Sequence, residues 1–118
     1  MDIFRLRGDA VGRNRASRFG DLVFAVATAG RPGGSVADQT RLTLAALEQA
    51  LVEAGSDKTR LLSATVYLTD IARKAEMDSV WCPWLGDDSA NWPQRACVQA
   101  GLAPGDLVEI TVIAAALR

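Results

Sequence analysis

The chain has 118 residues, with 13 Lys and Arg against 14 Asp and Glu, no His, and a formal charge of −1. That length suits one domain, spanning 1–118, whose single core buries roughly two-thirds of the surface an unfolded chain of this size exposes. The basic residues are scattered rather than gathered into a phosphate-neutralising stripe, so nucleic acid is not expected as a partner. No apolar run is long enough to cross a membrane and Met1 to Arg5 lacks the basic-then-apolar order of a signal peptide, so no membrane partner is expected and the cytoplasm is the expected location.

Residues 3–7 suit an edge strand, and the apolar run 21–28 between Gly20 and the turn cluster 30–34 suits a buried one. Ser35 then offers an N-cap, with Asp38 in the capping-box position. Leu44, Leu47, Leu51 and Ala54 recur at helical spacing and Gly55 supplies a stop, so 36–54 is expected to be a long amphipathic helix. In 60–69, period-two alternation predicts a strand with Leu62, Ala64, Val66 and Leu68 on one face. A second helix is expected over 71–85, broken or capped near Cys82-Pro83, followed by a polar loop at 86–91. Two more strands, 94–100 and 107–115, complete the order β-β-α-β-α-β-β.

Two helices cover one face of such a sheet, yet 61–68 and 107–116 are apolar or small on both faces. A second copy of the chain is the simplest cover, so a homo-oligomer is expected.

The absence of His, and two cysteines, Cys82 and Cys97, outside any CxxC pattern, remove the usual ligands of a zinc site and the bases of Ser-His-Asp and Cys-His catalysis. The residue that demands an explanation is Arg95, which alternation places on one strand face with Cys97 and Gln99. A guanidinium stays charged, so a half-buried Arg95 must meet a protein acid or an anionic ligand. A cross-strand pair with Glu109 is one solution, and the carboxylate of a small molecule is the other. Cys97 reads as a nucleophile if the arginine lowers its pKa, or as a small apolar lining residue. Trp81, Trp84 and Trp92 serve core packing or an aromatic pocket wall. The basic stretch 13–18 is a solvated loop or a cationic mouth for an acidic ligand.

Gln39-Thr40-Arg41, Ala54-Gly55, Thr65-Val66-Tyr67-Leu68-Thr69-Asp70, Pro93-x-Arg95 and Leu107-Val108-Glu109-Ile110, in this order, resemble the Rid family, also called the YjgF family, over residues 20–116. The resemblance implies a chorismate-mutase-like α+β fold, assembled as a homotrimer with the sheets in a central barrel and the helices outside. It implies hydrolysis of carboxylate-bearing enamines and imines to 2-oxo acids and ammonia in clefts between subunits, with no cofactor. In that scheme Arg95 clamps the carboxylate, Glu109 orients or activates the attacking water, and Cys97 lines the site. Non-catalytic binding of small carboxylates is the alternative, and RNA cleavage is disfavoured by the charge balance and the missing His.

Two positions depart from the best-known branch. Ala27-Thr28 stands where that branch has Gly-Gln, and Arg13 or a neighbour stands where it has a pocket tyrosine. Thr28 and Arg13 are therefore expected substrate-binding positions, and an arginine in place of a phenol favours a more acidic substrate.

Overall fold

The computed structural model describes residues 1–117. Its elements are β1 (Ile3–Leu6), β2 (Ala16–Phe19), β3 (Leu22–Thr28), α1 (Val36–Glu53), β4 (Leu61–Leu68), α2 (Lys74–Leu85), β5 (Gln94–Gln99) and β6 (Val108–Ala115), joined in part by short 3₁₀ turns. The expected order thus gains a strand. β2 pairs with β3 across Gly20-Asp21, where Gly20 takes φ 61° at the first position of a two-residue hairpin.

The six strands form one sheet in the order β1-β2-β3-β6-β4-β5, antiparallel except for β4 and β5, whose parallel pairing is made possible by the crossover through α2. Both helices lie on the same face. α1 starts with both limbs of the capping box between Ser35 and Asp38, and it buries Leu44, Leu47 and Leu51 against Val23, Val66, Leu68 and Ile110. Each such side chain contributes about 1.5–3 kcal/mol through removal from water.

Two expectations are corrected. The register shifts between Leu61 and Ser63, so Leu61 joins Ala64, Val66 and Leu68 in the core while Leu62 is exposed. A bulge inserts one residue and so reverses the side of everything before it. Pro83 does not break α2, which continues to Leu85 before Gly86 closes it by donating its backbone N–H to the Cys82 carbonyl.

Gln39, fully buried near the start of α1, ties distant loops together. Its side-chain amide donates to the carbonyls of Gly33 and Gly105, at 3.1 and 2.9 Å, and its carbonyl accepts from the Leu107 N–H at 2.8 Å. This holds the entry to β6, and therefore the position of Glu109, against the helix layer.

No described element covers the other face. Ile3, Phe19, Leu22, Phe24 and Val98 expose large apolar side chains there.

Candidate functional site

Arg95 lies on β5, the last strand of the sheet, in register with buried Ala64, so it points to the helix-covered side. α2 passes over it. The Arg95 guanidinium is 5.2 Å from the Trp81 ring centroid, and its Nη1 is 2.7 Å from Asp78 Oδ1. The latter is a charge pair between partly buried side chains. Asp78 Oδ2 accepts from Lys74 Nζ at 2.7 Å. Burial opposes ionisation of Asp78, but Lys74 and Arg95 outweigh it and hold the carboxyl below its ordinary value. One carboxylate thus serves two cations, leaving a net positive charge at a site where the Arg95 side chain is 17% exposed.

A cleft of about 780 Å³ opens in front of Arg95, between the C-terminal half of α2 and the loop entering β5. Trp81, Pro83, Leu85, Trp92 and Pro93 supply its apolar walls. Trp92 is 52% exposed yet oriented, because its indole N–H donates to the Gly86 carbonyl at 2.9 Å. Trp84 instead packs α2 on α1: its N–H donates to Glu48 at 2.9 Å and Lys58 lies over its ring. The three tryptophans therefore divide between the two uses their composition allows.

Cys97, in register with Val66, packs against the core on the same side as Arg95. Burial pushes its thiol pKa up more strongly than Arg95 pulls it down, which argues against a thiolate nucleophile and leaves a small residue packed on the core.

Glu109 is elsewhere. It pairs with Thr28 of β3 and Tyr67 of β4, and the alternation of β6 puts it on the open face. Because Arg95 faces the helices and Glu109 faces away from them, the cross-strand Arg95–Glu109 pair does not form; Asp78 takes that place. Thr28 shares the open face with Glu109, and Arg13 meets Thr28 at a cavity of about 160 Å³ under the loop before β2. Arg13 also borders a concavity of about 560 Å³ over the open face, together with Arg5, Ser63, Thr65 and Thr111. The other arginines of its stretch are committed: Arg15 pairs with Glu53 at 2.8 Å, and Arg18 donates to the Gly20 carbonyl at 3.1 Å.

The expected site residues therefore fall into two groups within one chain, Arg95 with Cys97 on the covered face and Glu109, Thr28 and Arg13 on the open face. Asp78 is the functional candidate that sequence reasoning missed. Its signal was the spacing of Lys74, Asp78 and Trp81, which share a helix face. Among the described residues no cluster of three or more His, Cys, Asp or Glu is placed to hold a metal ion, and no helix is long and apolar enough to cross a membrane.

Residues 16–116 match the family described as Endoribonuclease L-PSP. A RutC family protein of Haemophilus ducreyi is 40% identical over 78 residues, a match that spans 65% of this chain and 65% of that protein. TdcF of Escherichia coli, named as a candidate reactive intermediate deaminase, is 34% identical over 67% of this chain and 62% of its own. Among solved structures, a member of the YjgF protein family from Neisseria meningitidis superposes with a TM-score of 0.90 at 36% identity, covering 100% of this chain and 98% of that one. The structure of E. coli TdcF with bound serine superposes with a TM-score of 0.85 at 27% identity, covering 96% and 94%. The sheet order, the helix layer and these matches lead to one assignment: the chain belongs to the YjgF, or Rid, family of α+β proteins.

Proposed function

We propose that the protein hydrolyses imines and enamines that carry a carboxylate, releasing a 2-oxo acid and ammonia. The observation that carries this is Arg95, a partly neutralised guanidinium at the end of an apolar cleft of about 780 Å³, where a ligand carboxylate would complete the charge balance left by Lys74 and Asp78. The bound serine of the TdcF structure, an amino acid with a carboxylate, is in keeping with that role.

The reaction needs little from the protein. Water adds across the C=N bond, the nitrogen takes up protons, and the C–N bond of the resulting carbinolamine breaks to leave the C=O of the 2-oxo acid and free ammonia. Holding the carboxylate and aiming one water lowers the barrier through positioning, and a carboxylate that accepts a proton from that water assists the addition. Glu109 is the carboxylate assigned to this step, with Thr28 and Arg13 beside it and Cys97 next to Arg95. No cofactor enters the scheme.

Since Arg95 and Glu109 face opposite sides of one sheet, they reach a single substrate when they come from different copies. A homotrimer whose open faces meet in a central barrel supplies this and also covers Phe24 and its apolar neighbours. Activity in the cytoplasm, where reactive imines arise from amino-acid metabolism, fits this chemistry. Ala27-Thr28 and the charge pair on Arg95 favour one second reading, a non-catalytic member that binds 2-oxo acids.

The test is hydrolysis of imino acids generated in situ by an amino-acid oxidase. The proposal expects acceleration by the wild type and its loss in Arg95→Ala and Glu109→Ala. No acceleration, with 2-oxo acid binding intact, establishes the binding protein instead.

A further inference from the structure

The part of a substrate that lies beyond its carboxylate would meet the walls of the Arg95 cleft, and these walls have a definite character. Two indole rings and two prolines line the cleft with Leu85, and among the described residues the charged groups lining it besides Arg95 are the carboxylates of Asp78 and Asp87. Trp92 stands half out of the protein, where a flexible tryptophan would rotate among rotamers, but its N–H is committed to the Gly86 carbonyl at 2.9 Å and its ring is fixed as a wall. Trp81 is 4% exposed and is braced by Trp84, with ring centroids 5.6 Å apart. An exposed aromatic wall held in place in the same cleft as a buried one is a surface on which an apolar group loses water at little cost in ordering.

We propose that this cleft selects imino and 2-oxo acids with a large apolar side chain over those with small or acidic ones. The inference rests on the assignment of Arg95 as the carboxylate clamp and adds the side chain's class. The carboxylate takes Arg95, and the side chain lies along Trp92, Pro83 and Leu85. A second carboxylate on the ligand would approach Asp87, and like charges in a partly desolvated cleft are unfavourable. The expectation of a more acidic substrate drawn from Arg13 is the competing outcome, since Arg13 would reach the substrate from the other copy, beside Glu109. The volume of about 780 Å³ admits a branched or aromatic side chain without rearrangement.

The experiment is calorimetric titration of the full chain with four stable 2-oxo acids: pyruvate, 4-methyl-2-oxopentanoate, phenylpyruvate and 2-oxoglutarate. The titrations are repeated on Arg95→Ala, Trp92→Ala and Trp92→Phe. The two bulky acids are expected to bind about tenfold tighter than pyruvate, the gain due to burying several carbons against a wall open on one side. 2-Oxoglutarate is expected to be the weakest ligand. Trp92→Ala should bring the bulky acids to the level of pyruvate, whereas Trp92→Phe, which keeps an aromatic face but loses the bond to Gly86, should give an intermediate preference. A flat series, or tightest binding of 2-oxoglutarate, overturns the inference. If Arg95→Ala still abolishes binding in that case, the carboxylate assignment stands and only the side-chain class falls; if Arg95→Ala binds like the wild type, both fall.

Discussion

The two faces of the sheet are built from the same strands but do different work. On one, Val66, Leu68, Ile110 and Val23 are sealed under α1 and α2, and the core is complete within a single chain. On the other, Phe24, Leu22 and Val98 remain exposed beside Thr65, Thr111 and Glu109, polar residues at half-buried positions. Alternation along each strand decides which face a residue serves. The covered face carries the fold and Arg95; the open face carries Glu109 and a set of exposed apolar side chains. Under the proposed scheme the subunit is stable by itself and the reactive centre forms on assembly.

Substitutions on the two faces should fail in different ways. Leu47→Ala, in the sealed layer, is expected to cost about 2–5 kcal/mol in denaturant unfolding, at every protein concentration. Phe24→Ser on the open face should cost far less in the isolated subunit and should act on assembly, so that sedimentation reports smaller species and the melting temperature becomes steeply concentration-dependent. Equal losses at both positions would remove the distinction.

Gln39→Ala probes the link between the faces. It strands the carbonyls of Gly33 and Gly105 and the N–H of Leu107 next to a cavity, and about 1–3 kcal/mol of stability should go. Because Leu107 leads directly to Glu109, hydrolysis should fall while binding of 2-oxo acids at Arg95 is kept.

Asp78→Asn is the mildest test. The folded-state pKa of Asp78 is depressed, so its contribution is present above the ordinary carboxylate range and is lost as the pH falls through the lower folded value. The wild type should therefore show an acid-side decline in stability that Asp78→Asn lacks, of about 1 kcal/mol or less for partly exposed charges. Removing the competing carboxylate should also tighten 2-oxo acid binding a few-fold. Weaker binding would contradict Asp78 as the internal competitor for Arg95.

Local signals gave α1 almost to the residue, because Ser35, Asp38, the leucine spacing and Gly55 act within a few positions of one another. β2 was hidden. Its four residues include Ser17 and Arg18 and show no apolar run, although Gly20-Asp21 carried the hairpin signal that implies a partner before β3. The shift at Leu61–Ser63 had no local signature, since a bulge is set by how β4 meets β6. For the site, Arg95 was conspicuous because its charge was out of keeping with its strand. Its relation to Glu109 was not legible, because the face each occupies follows from the pairing of β6, β4 and β5 rather than from spacing along the chain. Asp78 was overlooked as one of two acids on α2, and only the crossover of α2 above β5 brings it to Arg95.

The central claim, that one substrate is held by Arg95 of one copy and Glu109 of another, is tested most directly by mixing two inactive variants. Arg95→Ala and Glu109→Ala are unfolded together in equal amounts, refolded, and assayed for imine hydrolysis. If subunits are drawn at random, about a quarter of the clefts between copies combine an intact arginine with an intact glutamate, and about that fraction of wild-type activity should return. If the mixture assembles like the wild type and stays as inactive as either variant alone, the two residues do not meet across a subunit boundary, and the proposed centre is wrong.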